Sequence, residues 1–274
     1  MMCKYVCVRI FTFVALLNLI LGLVACASVN TPVSSSFPAS SAVHSGETAV
    51  AFSPDSGKGV FEPGPAAIAF PRENLLESNS CYRVSLFYPY TAQERIDSQI
   101  GKYARDLYNS FVPSFSADCA REQERPGQLF ELTLDYSCYS SSPEVISILF
   151  VPWMYSGGAN GLGWLESMNF SLVSALRLDY SDIFGKLSGF YEFLSVYARQ
   201  SLRPKLGELW DIAPGFMNGL EPSPGNFNCF ILKPGGLELH FPAYQIAPYA
   251  EGPQECFVPL DLLLPFMPRP GIWR

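Results

Sequence analysis

The sequence predicts an α+β fold: a mixed, largely antiparallel sheet with two main helices, ordered β-α-β-β-β and then α-β-β-β-α. Three observations predict it. Segments such as Tyr82–Tyr88 and Phe130–Cys138 alternate apolar and polar residues with the period of a strand. Two stretches, 96–111 and 194–202, place apolar residues three and four apart, the period of a helix face. NFNCFILK and LELHF flank Pro234-Gly235-Gly236, which reads as a hairpin and not a crossover.

Taken in order, regular structure opens at Cys81. Tyr82, Val84, Leu86 and Tyr88 share one face of a strand that Pro89 stops. TAQE at Thr91–Glu94 has the pattern of a capping box, with Thr91 as cap and Glu94 reaching back. Ile96, Ile100, Tyr103, Leu107 and Phe111 then form the stripe of a helix expected to end before Pro113. QLFELTLDYSCYS is a strand with Glu131, Thr133 and Asp135 on its polar face. Residues 144–155 are apolar on both faces, as in a central strand. SGGANGLG, 156–163, is a wide hairpin connection. Gly157, Gly158 and Asn160 would expose backbone N–H groups to an anion, but no helix follows to make a phosphate loop. WLESMNFSL turns Met168, Phe170 and Leu172 inward.

The second half opens at Ala175. Asp179, Asp182, Glu192 and Asp211 lie near helix ends, where a carboxylate caps backbone N–H groups, with Asp179 or Ser181 as the cap of LDYSDIF. A helix follows with Leu194, Tyr197, Ala198 and Leu202 on one side; Pro204 is expected to interrupt it. After the hairpin come a proline-rich loop, the strand QECFVPL and a short helix.

The chain has 274 residues, 49% of them hydrophobic, with a formal charge of -7. No basic run appears, which argues against nucleic acid as a partner. At the N-terminus, Lys4 and Arg9 precede an uncharged apolar run, Phe11–Ala25, too short for a membrane span and shaped like an export signal. It ends in Leu23-Val24-Ala25-Cys26, the form of a bacterial lipobox, so Cys26 is the expected lipid attachment site and the membrane a partner through that lipid. The second residue of the processed chain is Ala27 and not Asp. The expected location is therefore the outer membrane facing the periplasm in a diderm host, and otherwise the outer leaflet of the cell membrane. Residues 1–25 are the signal and 26–80 a Ser/Pro/Ala-rich tether in which TAVAF or AAIAF could add an edge strand. Residues 81–174 form an N-terminal subdomain, 175–267 a C-terminal one, and 268–274 a tail.

After processing, Cys81, Cys119, Cys138, Cys229 and Cys256 remain, in an oxidising compartment. Their spacing fits no zinc pattern, so no metal and no cofactor is expected. A Cys229–Cys256 bridge would pin the proline-rich loop between their strands. A second bridge would join Cys119 to Cys81 or to Cys138. The processed chain has two histidines, His44 in the tether and His240 in LELHF. His240 alternates with Glu238 and reads as a sheet-surface or edge residue. No nucleophile–base pattern such as G-x-S-x-G or HExxH occurs, and the chain reads as a non-enzyme.

Several segments stand in a recognisable order: the strand into YSGGANG, then NFSL, LRLDYSDIF, and NFNCFILKPGGLELHFPAYQIAPYAEGPQECFVPLDLL. This resembles the extracytoplasmic region shared by RsiV-type anti-sigma factors and the N-terminal part of PdaC-type peptidoglycan deacetylases. Residues 81–267 are covered, and 175–267 carry the most specific pattern. The glycine turn departs from that family: its usual GGAH is Gly157-Gly158-Ala159-Asn160 here. The resemblance implies a fold, an envelope setting and, from the RsiV-type proteins, binding of lysozyme. It does not carry over deacetylation, which belongs to a separate downstream domain. Within AYQIAPYAEGPQE, Tyr244, Pro248, Tyr249 and Gly252 are the family-motif residues and the candidate binding loop. Ile246 and Tyr244 are read as closing the core, Gly252 as a residue free to take positive φ. The expected function is a lipid-anchored, non-catalytic binding domain for a lysozyme-like protein or a peptidoglycan ligand. The alternatives are a wall- or protein-modifying enzyme and a structural envelope lipoprotein.

Overall fold

The structure is a computed structural model that describes residues 70–119 and 129–273, with side chains from 116 to 119 excluded. The signal, Cys26, His44, TAVAF and most of AAIAF lie outside the described residues. Two sheets, each with a long helix on one face, make an α+β fold. In the first sheet β1 (Arg72–Ser78), β2 (Tyr82–Pro89), β3 (Phe130–Tyr139), β4 (Val145–Tyr155) and β5 (Leu162–Gly163) follow in order, and β6 (Glu166–Ser171) also pairs with β4. Among the described residues only β2 and β3 run parallel, because α1 (Glu94–Cys119) lies between them in the chain as a crossover. Among the described residues the edge strand is RENLLES, which follows AAIAF in the chain. Leu75 packs it against the core and its polar groups fasten it: Arg72 pairs with Asp135 at 2.7 Å and lies over the Phe87 ring, while the Tyr82 and Tyr108 hydroxyls donate to Glu77.

Ile96, Ile100, Ala104 and Phe111 of α1 pack on Val84, Leu86, Leu132, Leu134, Ile148 and Phe150, the stripe meeting the alternation as the sequence predicts. Two details differ. The partner of Thr91 is Asp97 and not Glu94: Asp97 Oδ1 accepts from the Thr91 N–H at 2.8 Å and its hydroxyl at 2.7 Å. The helix also runs through Pro113. Phe115, one turn after Phe111, stacks on Phe130 at 4.6 Å, and that packing offsets the lost backbone hydrogen bond. β4 is buried on both faces over its first six residues, as a central strand should be. SGGANGLG closes the β4–β5 hairpin, where Gly161 lies so close to the Trp153 indole that a Cβ would overlap it.

The second half begins with a short helix, α2 (Tyr180–Ile183), whose cap is Asp179; its N–H donates to Asp182 Oδ2 at 3.0 Å. Helix α3 (Phe190–Ile212) is continuous, and Pro204 does not interrupt it. Pro204 sits on the solvent side, while Leu202, Leu206 and Trp210 anchor both sides of it in the core. The second sheet has the order β7 (Phe230–Lys233), β8 (Gly236–Phe241), β9 (Gln254–Pro259), all antiparallel, and α4 (Leu260–Leu263) ends it. Phe230, Leu232, Leu237, Leu239, Phe241, Cys256 and Val258 face α3. Gly235, at φ 77°, makes the β7–β8 turn.

Edge strand β7 is sealed by side chains of the first sheet. The Ser147 and Ser167 hydroxyls accept from the Leu232 and Phe230 N–H groups at 2.9 Å each, and Asn169 donates to the Phe230 carbonyl. These three residues alternate with the buried Ile148, Met168 and Phe170, so the face of the first sheet away from α1 satisfies an edge that would otherwise invite another strand.

The Cys229–Cys256 bridge is not formed; both thiols are free. β8 lies between their strands, which puts them about two strand spacings, or roughly 10 Å, apart. They also face opposite ways: Cys256 belongs to the core under α3, and Cys229 packs with Tyr139, Leu149 and Ile231. Cys138 is a buried free thiol whose pKa burial pushes up to about 12. Cys81 is disulfide-bonded, and the side chain of Cys119 lies outside the described residues.

Candidate functional site

Two features meet at one end of the second sheet, because the loop 242–253 leaves β8 just after His240 and enters β9 just before Glu255. The first is the loop itself. Three contacts fix it to the body. Trp210 donates its indole N–H to the Ile246 carbonyl at 2.9 Å, and Ile246 is fully buried. Gln245 Nε2 donates to the Gly219 and Asn226 carbonyls at 3.0 and 2.8 Å. Gly219 is needed there, since a Cβ would stand 2.1 Å from the Gln245 carbonyl oxygen. At the far end Gln254 donates to the Glu251 and Gly252 carbonyls, and Gly252 takes φ 67° as its sequence position predicts. Pro248 starts the single turn Tyr249–Glu251.

Ile246 plugs the core, but Tyr244 does not. Tyr244 is 46% exposed and its ring stacks on Tyr249 with centroids 5.7 Å apart. The cause is local: Tyr244 takes φ 71°, and its N–H donates to the Ala247 carbonyl, so the chain folds tightly and the side chain is turned outward. A stacked aromatic pair is thus presented on a short, well-pinned loop. The glycine turn lies in the other sheet, where Gly157, at φ 90°, Gly158 and Asn160 serve the hairpin and join neither feature.

The second feature was not foreseen from the sequence. His240 is not a surface or edge residue: β8 is the central strand of its sheet, and His240 is 4% exposed. Glu238, two residues earlier on the same face, is 7% exposed. Glu255, directly across from His240 on β9, completes a triad with ligand atoms all within 4.8 Å of one another. Lys233 Nζ reaches both Glu238 oxygens, at 2.6 and 2.7 Å, and lies over the Tyr139 ring. Burial pushes the Glu238 carboxyl up, but His240 and Lys233 together outweigh it and hold it below the usual carboxylate value. Tyr139, buried beside Glu238, is pushed up to about 12, chiefly by burial. The signal available in the sequence was the i, i+2 pair Glu238/His240; what hid it was that Glu255 arrives from a strand fifteen residues on.

Residues 181–261 match the family model of DUF3298, a protein of unknown function. That span holds both features. The chain is also 26% identical over 189 residues to the peptidoglycan-N-acetylmuramic acid deacetylase PdaC of Bacillus subtilis (strain 168), in that protein's N-terminal region. The match takes in 69% of this chain and 40% of PdaC, so the chain spans well under half the length of that relative. Among solved structures, a DUF3298 family protein from Pseudomonas aeruginosa PAO1 superposes with a TM-score of 0.53 at 17% identity, covering 76% of this chain and 98% of that one. A DUF3298 member from Bacteroides fragilis gives 0.49 at 16% identity, covering 74% and 95%. The Pseudomonas structure shows a shared fold. No helix among the described residues is long and apolar enough to cross a membrane.

Proposed function

We propose that this chain is a lipid-anchored envelope protein whose folded part is a non-catalytic binding domain, with the loop 242–253 as its contact surface and cell-wall peptidoglycan as its ligand. The observation that carries the reading is the Tyr244–Tyr249 stack, with Tyr244 exposed and Tyr249 half-buried, on a loop fixed by Trp210, Gln245 and Gln254. A rigid aromatic surface binds with little loss of conformational freedom, and its faces suit the apolar face of a sugar ring. Peptidoglycan is favoured over other wall ligands because the matched relative, PdaC, is by name a peptidoglycan deacetylase. The lipobox at Cys26 supports the envelope setting.

Sedimentation with purified peptidoglycan tests the ligand. The processed domain should pellet with the polymer, and Tyr244→Ala with Tyr249→Ala should stay in solution at an unchanged melting temperature. Immobilised lysozyme in parallel separates a protein partner from the wall itself; capture by lysozyme without pelleting would replace the ligand in this reading. Fatty-acid labelling of intact cells should mark the wild type and not Cys26→Ser, and equal labelling would remove the anchor.

A further inference from the structure

The polar triad beneath the loop has no role in that reading, and its geometry is unusual for a structural ion pair. His240 Nε2 and Glu238 Oε1 lie 3.0 Å apart without a well-directed hydrogen bond between them, and the Lys233 ammonium stands 2.6 Å from the same oxygen. An imidazole nitrogen buried to 4% exposure and left without a directed partner costs free energy that a simple pair would have recovered by a small rotation. Two ligand atoms held this close without a directed bond between them are spaced to share a cation. In a tetrahedral site with bonds of about 2.0–2.1 Å, neighbouring ligand atoms stand roughly 3.3 Å apart. The observed 3.0 Å is close to that, and Glu255 supplies a third oxygen within 4.8 Å.

The geometry points to a divalent transition-metal site formed by His240 Nε2, Glu238 Oε1 and Glu255, with zinc as the best-suited ion. One imidazole and two carboxylates form a mixed nitrogen–oxygen set that suits zinc better than calcium or magnesium, which take oxygen. The strands supply the arrangement: Glu238 and His240 share a face by alternation, and Glu255 is the cross-strand neighbour of His240. The surroundings fit a metal site. Lys233 donates to Glu238 Oε2 at 2.7 Å and stands 2.6 Å from Oε1, which orients the carboxylate and offsets its charge; an ion would take the ammonium's place at Oε1 while the Oε2 bond remains. The Trp273 indole N–H donates to the Lys233 and Gly236 carbonyls, at 3.1 and 2.9 Å, fixing the hairpin that carries Lys233. Two of the three ligands are buried and Glu255 is exposed, so an ion would enter from the Glu255 side and keep a position for water.

The test uses the processed domain, stripped with chelator and dialysed, with zinc chloride as the probe. Calorimetry should show saturable binding of one ion per chain and scanning fluorimetry a raised melting temperature; cobalt(II) should give a visible spectrum of low coordination number. Glu255→Gln is the informative variant, because its side chain is exposed and the metal-free fold should melt as the wild type does. It should weaken zinc binding about tenfold or more. Absence of saturable zinc binding by the wild type would overturn the site. So would zinc binding by Glu255→Gln equal to the wild type's. Neither outcome bears on pelleting with peptidoglycan, which depends on the tyrosines.

Discussion

The two faces of the second sheet are made by the same three strands and are opposite in character. Towards α3, Phe230, Leu232, Leu237, Leu239, Phe241, Cys256 and Val258 form a continuous apolar surface. On the other face Lys233, Glu238, His240 and Glu255 lie among Tyr139, Cys229 and Ile231. Burial of the first face stabilises the fold at about 25 cal/mol per Å². Burial of the second costs desolvation, which Lys233 and Glu238 recover only in part. Strand alternation allows this division: a residue facing away from α3 can be polar without disturbing the packing beneath it. The first face therefore explains why the sheet folds, and the second asks for a reason outside stability.

The largest expected effect is on the apolar face. Leu239→Ala removes a fully buried side chain from the central strand and should cost about 2–5 kcal/mol in urea denaturation. If it costs no more than a surface change, the apolar face is not what holds the sheet. Next is the joint between the sheets. Ser147→Ala leaves the Leu232 N–H buried and unpaired, with an expected loss of about 1–3 kcal/mol. A loss below measurement would mean that water replaces the hydroxyl.

The pH dependence sharpens the polar face. The folded pKa of Glu238 is depressed, so its contribution is complete above the ordinary glutamate value and is lost as pH falls through the folded one. Urea midpoints taken from about pH 6 to about pH 3 should fall, and more steeply for the wild type than for Glu238→Gln. Equal slopes would place the acid sensitivity elsewhere. The smallest effect is expected at the loop, where Tyr244→Ala should change stability by no more than about 0.5 kcal/mol. A larger loss would make Tyr244 part of the core after all.

The fold was legible where period alone decides it. The alternation of Phe130–Cys138 and the stripe of Ile96, Ile100 and Phe111 meet in one core, and the Pro234-Gly235 turn makes its hairpin. It was not legible at Pro113 and Pro204, where tertiary packing of Phe115 and Trp210 outweighs a local preference. The Cys229–Cys256 expectation fails because strand order places β8 between the two strands, a long-range fact that their positions beside one loop do not reveal. The candidate site was half visible. Tyr249, Pro248 and Gly252 stand out by residue type, but the outward turn of Tyr244 depends on its positive φ. The triad was hidden because strand pairing, which brings Glu255 beside His240, is a long-range fact.

The claim that the polar face is kept for something other than stability is tested most directly by replacing it with apolar residues of similar size. The variant Lys233→Met, Glu238→Leu, His240→Leu removes the buried charges together and leaves no partner orphaned. Its urea midpoint should equal or exceed that of the wild type, as for other buried ion pairs replaced by well-packed hydrophobic residues. A loss as large as that of Leu239→Ala would contradict the account and make the cluster a structural element of the sheet.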